Sequence, residues 1–292
     1  MAATTVTTVL ETLPTIRAAA LLQLDEGNIV QPLVTDIPFP GAGYIHETPF
    51  INHLTAEQDS DLASQAMEAT MSYSAANNLE TTPSSATVGI NAAYILLNDI
   101  AAICSSSDLQ ALAGQLIGQC LVVRKDLDLV TLFASFGTDQ GSTTSTAFAP
   151  ADLYDAYGSL RKHFAPLPYY LVLHPTQIWN TNGLIVMLDN SSDALQSHGL
   201  GTVGEDFARY GFSGMIMGFN LFADANIPMT TASGSGAAFA RSAIKCVRKR
   251  DFMLEVEREA DQVGDKIVGS EMLGVAILRN NHANEMQFPN FS

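Results

Sequence analysis

The sequence predicts an α+β fold, because one long amphipathic helix is combined with several separate strand-like segments. The helix is predicted over residues 108–136, where apolar side chains recur at i, i+3 and i+4 spacing. Strand-like segments rich in β-branched and aromatic residues lie on both sides of it, and three of them fall near the C-terminus, over 238–247, 252–259 and 272–278. We detect no internal repeat.

The first ninety residues predict two extended elements with little core of their own. Residues 1–39 are expected to form an arm with one short helix over 17–23, since Pro32, Pro38 and Pro40 impose extended geometry on the rest. Residues 40–90 contain few large apolar side chains. Strands over 44–52 and 88–94, a strand or small helix over 62–73 and a turn over 80–85 predict a β-hairpin that projects from the body and needs a partner surface.

The long helix carries the strongest periodic signal in the chain. Serines 105–107 are suitable caps at its start, and Gly137 is expected to end it. At a rise of 1.5 Å per residue, the predicted span is about 40 Å long. The expected buried face comprises Leu109, Leu112, Ala113, Leu116, Ile117, Cys120, Val123, Leu127, Val130 and Ala134.

The rest of the chain predicts an α/β layer. A loop rich in Gly, Ser and Thr is expected over 137–150, and a flexible loop over 227–236. Between them we expect a helix over 151–164, a buried strand over 169–173, a short helix over 176–188 and a strand-like segment over 211–223. The apolar face of the first of these helices is predicted to comprise Leu153, Tyr157, Leu160 and Phe164.

Charge is distributed unevenly. The formal net charge is −16, and no lysine or arginine occurs between Arg17 and Arg124. Such a segment repels phosphate, so we expect no nucleic-acid affinity there. Its acidity serves solubility or, alternatively, complements a basic surface of a neighbouring subunit, for which Arg248, Lys249 and Arg250 are the candidate.

Targeting and cysteine signals are weak. No apolar run is long enough for a spanning helix, and the first residues lack the features of a signal peptide, so we expect the chain to stay in the cytoplasm. Cys104, Cys120 and Cys246 are widely spaced, which predicts neither a disulfide framework nor a zinc site. We expect them to be small buried apolar groups.

Short catalytic motifs fail on inspection. The Gly211–Gly214 stretch lacks the final glycine of a nucleophile elbow, and Phe50 stands where a zinc-binding His-Glu motif at His46 needs a second histidine. The glycine-rich stretch 233–237 lacks the lysine of a phosphate loop. The six histidines, His46, His53, His163, His174, His198 and His282, show no ligand spacing.

We therefore predict no catalytic residues, no metal site and no cofactor. His174 is interpreted as a hydrogen-bonded residue at the end of a strand and not as a base. Asp126 and Asp128 are interpreted as part of a solvated helix face, because residues two apart do not share a helix face.

The order of these elements resembles that of the major capsid proteins of tailed phages, which have the Hong Kong-type fold. Four stretches carry the resemblance: Asp152-Leu-Tyr-x-Ala156, Tyr170-Leu-Val-Leu-His174-Pro175-x-Gln177, an Ala-rich strand over 237–244 and a closing Gly274-Val-Ala-Ile-Leu-Arg279. Each stretch is short, but their order and spacing cover nearly the whole chain.

The resemblance implies five regions. These are an N-terminal arm (1–39), an extended loop over an adjacent subunit (40–90), a peripheral domain with a spine helix (91–144), an axial domain (145–240) and returning strands shared by both domains (241–292). Such subunits form pentamers and hexamers of an icosahedral shell around packaged DNA. The implied location is the virion, after assembly in the host cytoplasm.

The implied partners are further copies of the chain, together with a scaffolding protein, a cement or decoration protein, and a portal. DNA would be enclosed without sequence-specific binding, and no membrane is implied. In a shell, the cluster at 248–250 could contact DNA, although an ion pair between subunits with the acidic loop is the preferred interpretation. Two alternatives stay open: an encapsulin-like nanocompartment shell of the same fold, and a soluble α/β enzyme with an unrecognised site.

Some members of the family fuse their subunits through a lysine of the extended loop. This chain has no lysine before Lys125. We therefore predict that residues 40–90 form no lysine-based covalent crosslink, and that assembled particles dissolve to a single monomer band on a denaturing gel. A ladder of multimers would contradict this prediction.

Overall fold

The computed structural model describes residues 16–18, 20, 29–51, 81–99, 109–141, 150–180, 183–184, 214–230 and 233–289. Strands dominate and helices are few, so the predicted α+β class is confirmed. The helices are α1 (Leu109–Val130), α2 (Pro150–Lys162) and α3 (Pro175–Trp179). The strands are β1 (Thr35–Pro38), β2 (Ile45–Ile51), β3 (Thr81–Thr87), β4 (Gly89–Asn98), β5 (Asp139–Gly141), β6 (Tyr169–Leu173), β7 (Met215–Ile216), β8 (Phe219–Ala223), β9 (Ser233–Ala240), β10 (Ile244–Glu259), β11 (Gly264–Ile277) and β12 (Ala283–Pro289).

The strands form two larger sheets and one separate pair. The first sheet has four strands in the order β1-β10-β11-β4, with β1 parallel to β10 and the other pairs antiparallel. The second has six strands in the order β5-β12-β9-β6-β8-β7. Strands β2 and β3 pair only with each other among the described strands.

Helix α1 packs along one face of the four-stranded sheet. Ile117 and Leu121 are buried against Leu254 and Ile267. Gly269 permits this close approach, because a Cβ at that position would lie 2.3 Å from Cγ2 of Ile117. Burying each such aliphatic side chain contributes roughly 1.5–3 kcal/mol, so this face anchors the helix to the sheet.

The predicted buried face of this helix is partly wrong. Leu112, Leu116 and Val123 remain 45–49% exposed, and Cys120 is also exposed. Two apolar stripes run side by side along the helix. The stripe through Ile117 and Leu121 faces the sheet, and the stripe through Leu112 and Leu116 does not. Periodicity identifies both stripes but does not decide which of them packs.

The helix also ends earlier than predicted, at Val130 and not near Gly137. Its 22 residues span about 33 Å. A 3₁₀ turn follows over Phe133–Ser135, in which Phe133 is fully buried and packs 5.9 Å from the ring of Phe239 on β9. This contact joins the turn that follows α1 to the six-stranded sheet.

Helix α2 covers the six-stranded sheet. Leu153 and Leu160 are fully buried in a cluster with residues of β6, β8, β9 and β12. Asn284 on β12 donates from Nδ2 to the Ala156 carbonyl at 3.0 Å, which fixes the helix to its strand. Phe164 was predicted to join this face, but it lies beyond the helix with φ of 56° and is 75% exposed.

A three-residue turn, 241–243, links the two large sheets. The Ala243 carbonyl accepts hydrogen bonds from the N–H groups of Leu278 (2.7 Å) and Arg279 (3.1 Å). Arg241 donates from Nε to the Val34 carbonyl at 3.2 Å. The segment 238–247 was predicted as one strand, and this prediction is wrong, because the turn divides it between β9 and β10.

Several loop and strand boundaries differ from the predictions. The loop predicted over 137–150 contains β5, and β9 begins at Ser233 inside the loop predicted over 227–236. Helix α3 has five residues and ends at Trp179, well before 188. The strand or helix predicted over 62–73 lies outside the described residues. Strand β6 and the strand region around β7 and β8 are confirmed.

The last strand, β12, was missed entirely. It pairs with β9 antiparallel and with β5 parallel, and Met286 and Phe288 are buried in the core beneath α2. Its Asn284 and Glu285 are buried polar residues, which gives the segment a mixed composition that hides the strand pattern. Strand β12 therefore carries the end of the chain into the six-stranded sheet.

Adjacent positions of α1 provide a matched test of this packing. Ile117→Ala should lower the free energy of unfolding by about 2–5 kcal/mol, because it leaves a cavity against the sheet. Leu116→Ala, at a position 45% exposed, should change it by less than about 0.5 kcal/mol. Urea denaturation of the unassembled chain measures both. Equal losses in the two variants would mean that the packed stripe is assigned wrongly.

Candidate assembly surfaces

The base of the hairpin predicted within residues 40–90 is present in the structure. Strands β2 and β3 pair antiparallel from Ile45 opposite Thr87 to Ile51 opposite Thr81, and Pro49 stands opposite Pro83. The turn predicted over 80–85 is therefore wrong, because residues 81–85 belong to β3, and the strand predicted over 88–94 lies in β4 of the four-stranded sheet and not in the hairpin. Prolines are tolerated here because each strand of a two-stranded pair has a free edge. Residues 52–80 lie outside the described residues.

A buried lysine, Lys245 on β10, fastens this hairpin to the body. Its side chain has no solvent exposure, and its Nζ donates to Thr48 Oγ1 on β2 at 3.0 Å and to the Ser84 carbonyl on β3 at 2.5 Å. Burial lowers the pKa of the Lys245 ammonium, and the negative charge of Glu47 opposes that shift. One cation thus bridges both strands of the hairpin and the four-stranded sheet.

Sequence reasoning did not single out Lys245. The available signal was a lysine inside the strand-like run 244–247, where its neighbours are apolar. A charged residue at such a position is rarely buried without polar partners.

Three further contacts hold the base of the β2–β3 hairpin against the body. Ser84 donates from Oγ to the Ile277 carbonyl at 2.6 Å, and Lys249 donates from Nζ to the Gly43 carbonyl. The backbones of β3 and β11 also approach closely at Gly274, where a Cβ would lie 2.4 Å from the Thr87 carbonyl oxygen. These contacts with the four-stranded sheet therefore fix the orientation of the hairpin base.

The basic cluster 248–250 finds partners within its own chain. Arg248 pairs with Asp36 at 2.5 Å and with Asp251 at 3.1 Å. Lys249 Nζ also lies 5.1 Å from the ring centroid of Phe39, and Arg250 donates to Ser270 Oγ at 2.8 Å. The acidic partner that was expected from a neighbouring subunit is supplied for Arg248 by Asp36 of the same subunit.

The two aspartates of α1 differ in environment. Asp128 is near the surface and pairs with Arg124 at 2.8 Å, as expected for a solvated face. Asp126 is fully buried, so its predicted exposure is wrong. Burial and the negative charge of Asp224 raise the pKa of Asp126 to about 6.

A buried ion pair joins α1 to the four-stranded sheet. Lys125 Nζ lies 3.1 Å from Glu271 Oε2 on β11, and both side chains are more than nine-tenths buried. Burial raises the pKa of Glu271, which Lys125 opposes. Removing one member of such a pair typically costs about 3–5 kcal/mol, whereas replacing both by apolar residues is often neutral. The pair therefore fixes the position of α1 on the four-stranded sheet more than it adds to the free energy of unfolding.

The other face of the four-stranded sheet is open except at the end near Met272 and Ala276, where the hairpin base packs against it. Residues directly opposite one another on neighbouring strands share a face, and this places Tyr94, Val268 and Glu255 in one row and Ile90 beside Met272 in another. Ile90 is 62% and Tyr94 70% exposed. We call this surface the open sheet face.

Helix α1 presents a second exposed apolar strip on its side away from the sheet. It comprises Leu112, Leu116, Cys120 and Val123, which follow one another at helical spacing. Cys246, by contrast, is buried as predicted, and burial raises the pKa of its thiol to about 11. Cys104 lies outside the described residues.

The sequence motifs considered for catalysis have structural roles where they are described. His174 caps α3: its Nδ1 accepts the Thr176 N–H at 3.2 Å, and Gln177 Oε1 accepts the His174 N–H. The interpretation of His174 as a hydrogen-bonded residue at a strand end is confirmed. The stretch from Ser233 forms β9, and residues 211–213 lie outside the described residues.

An open groove of about 450 Å³ lies between β3 and the end of β11. Its walls carry no ionisable side chain and comprise Pro83, Ser84, Ser85, Leu132, Val275, Ala276, Ile277, Leu278 and Asn280. Within the described part of the chain, no group of three His, Cys, Asp or Glu residues is arranged to hold a metal ion. None of the helices described is long and apolar enough to cross a membrane.

Neither family models nor curated proteins match this sequence. Solved structures do. The capsid of the cyanophage P-SCSP1u superposes with a TM-score of 0.64 and 15% identity, over 90% of this chain and 88% of that one. The capsid of Ralstonia phage GP4 gives 0.63 and 11%, over 89% and 88%. A virus-like particle from Pyrococcus furiosus gives 0.61 and 13%, over 94% and 98%.

The TM-scores of 0.61–0.64 establish a shared fold, and at identities of 11–15% they establish the fold alone. The fold is that of tailed-phage major capsid proteins, and the resemblance inferred from the order of the sequence elements is confirmed at this level.

Replacing the lysine at the hairpin base tests its role. Lys245→Met keeps the volume but leaves Thr48 and the Ser84 carbonyl without their donor, so hydrogen exchange of the β2 and β3 amides should accelerate. The expected loss of protection is about 1–3 kcal/mol, while β6 should exchange as before. Lys266→Met, at a partly exposed lysine on the same sheet, is the control. Unchanged exchange in β2 and β3 would show that Lys245 does not hold the hairpin.

Proposed function

We propose that this chain is the major capsid protein of a tailed-phage-type particle. Subunits would assemble into pentamers and hexamers of an icosahedral shell that encloses viral DNA, and the mature protein would reside in the virion after assembly in the host cytoplasm. The observation that carries the proposal is the shared fold, which extends over about nine-tenths of this chain and of the compared phage capsid chains.

The described surfaces support a role in assembly. A protein that works alone rarely exposes a contiguous apolar patch, whereas a subunit of an obligate assembly does. The open sheet face exposes Ile90, Tyr94 and Met253, and α1 exposes a separate apolar strip. The hairpin base is fixed by buried polar contacts, as expected for a loop that must reach a neighbour in a defined direction.

We propose a division of the chain that follows the two sheets. The four-stranded sheet with α1 would form the peripheral domain, and the six-stranded sheet with α2 the axial domain. Residues 1–39 would be the N-terminal arm and 40–90 the extended loop. We place β5 (Asp139–Gly141) and β12 with the axial domain because both pair within its sheet.

The partners would be further copies of this chain, and we propose a structural role without catalysis or cofactor. The capsid fold favours this over the soluble α/β enzyme. DNA would be enclosed and not bound in a sequence-specific manner, in keeping with a net charge of −16. A scaffolding protein, a cement protein and a portal remain expected partners of such a shell.

A second candidate is the shell of a non-viral nanocompartment. The observation behind it is the likeness to a virus-like particle from Pyrococcus furiosus, a cellular organism, which covers 94% of this chain and 98% of that one. The contents of purified particles distinguish the two candidates, since a virion shell holds DNA and a nanocompartment holds protein cargo.

Electron microscopy and size-exclusion chromatography of the purified chain test the proposal together with the open sheet face. The wild-type protein should form shells, capsomer-like rings or tubes. Tyr94→Glu places a charge on the apolar face, so it should raise the concentration of unassembled subunit by about tenfold or more, equivalent to about 1.4 kcal/mol per contact.

Tyr94→Phe keeps the apolar ring and should assemble like the wild type, and unchanged circular dichroism in both variants shows that folding is intact. A wild-type protein that stays a small oligomer under every condition, also with the products of neighbouring genes, would overturn the proposed function. Normal assembly of Tyr94→Glu would show that the open sheet face is not part of the assembly interface, and it would not contradict the proposed function.

A further inference from the structure

Two aspartates far apart in the sequence are both fully buried where the sheets meet. Asp126 lies on α1, and Asp224 directly follows β8. Asp126 Oδ2 accepts the N–H of Ile29 at 3.3 Å, and Asp224 Oδ1 accepts the N–H of Asn226 at 2.8 Å. The remaining oxygens, Asp126 Oδ1 and Asp224 Oδ2, have no hydrogen-bond partner within the described part of the chain.

The surroundings of this pair are apolar. Leu129 and Ile227, each three residues after one of the aspartates, belong to one buried hydrophobic cluster with Val30, which follows the Ile29 donor. In such a medium an unpaired carboxylate oxygen is costly, and two negative charges repel each other strongly. A buried polar atom without a partner in a native fold calls for an explanation.

Neither of the nearby basic side chains described forms an ion pair with these aspartates. Lys125, next to Asp126, is held by Glu271 at 3.1 Å. His174, at the start of α3, uses its Nδ1 to accept the Thr176 N–H. Burial lowers the pKa of His174, and the negative charge of Asp224 opposes that shift.

We propose that Asp126 and Asp224 form a buried proton-binding site that couples the packing of α1 against the six-stranded sheet to pH. A proton taken up by either carboxyl removes one of the two charges and turns an unpaired oxygen into a hydrogen-bond donor. Pairs of carboxyls in a shared apolar site commonly hold one proton in this way.

The electrostatics agree with this site. Burial is the main cause that raises the pKa of Asp126 from 3.8 to about 6, and the charge of Asp224 adds to it. Burial also raises the pKa of Asp224. The folded chain therefore binds the proton more tightly than the unfolded chain does. The resulting stabilisation is fully present below about pH 4 and is lost as the pH rises through about 6.

Thermal unfolding of the full chain across about pH 3.5 to 8, at one protein concentration, tests the site. Asp126→Asn keeps an acceptor for Ile29 but cannot ionise. It should raise the melting temperature above pH 7 by about 5 °C, and the difference from wild type should shrink as the pH falls below about 6 and vanish below about pH 4. Asp128→Asn, on the exposed side of the same helix, should follow the wild-type profile. Glu271, whose pKa is also raised, is unchanged in these variants.

Infrared difference spectra between neutral and acidic pH give a second readout. The wild type should gain the C=O band of a protonated buried carboxyl as the pH falls through about 6, and Asp126→Asn should lack the component that appears at that pH. Asp224→Asn removes the repelling charge and should shift the appearance of this band to lower pH, which keeps the test available if Asp126→Asn does not fold. The proposal is overturned if the wild type shows no such band, or if Asp126→Asn and wild type have parallel melting profiles across the range.

Discussion

The burial of the C-terminal half of α1 between the two large sheets is the constraint on which the rest of the structure depends. Leu129 and Phe133 lie in one hydrophobic cluster with Val34 of the N-terminal region, Phe239 of the six-stranded sheet and Ile244 of the four-stranded sheet. Because interiors are close-packed, moving any one of these elements would open cavities against all the others. The turn 241–243, with its hydrogen bonds to Leu278 and Arg279, sets how β9 leaves one sheet and β10 enters the other.

Charged groups are buried next to this core, and they act in two different ways. Lys125 and Glu271 satisfy each other, and Lys245 is satisfied by Thr48 and Ser84, so these contacts fix the helix and the hairpin in single positions. Asp126 and Asp224 are only half satisfied. Such contacts give little net stability once desolvation is counted, but they favour one arrangement over its alternatives. In the proposed shell, that specificity would let each subunit meet identical neighbours in a repeated geometry.

The outer surface differs from the core because large apolar side chains remain exposed on it. Apolar side chains stay exposed on the open sheet face and along α1, while the hairpin base is fastened to the sheet. These features support the proposed assembly from copies of this chain, because large shared interfaces resemble a core divided between partners. The Arg248–Asp36 pair shows that part of the acidic charge is already matched within the chain.

The sequence by itself determined those features that local patterns encode: the α+β class, the existence of α1, strand β6, the hydrogen-bonded role of His174 at a strand end and a hairpin within residues 40–90. The order of these elements also sufficed for the resemblance to the phage capsid fold. Only the tertiary structure decided which apolar stripe of α1 is packed, that the helix ends at Val130, that Asp126 is buried and that β12 completes the six-stranded sheet. These outcomes depend on which surfaces meet across long sequence separations. Periodicity along one segment cannot carry that information, because either face of a doubly apolar helix satisfies the same local pattern.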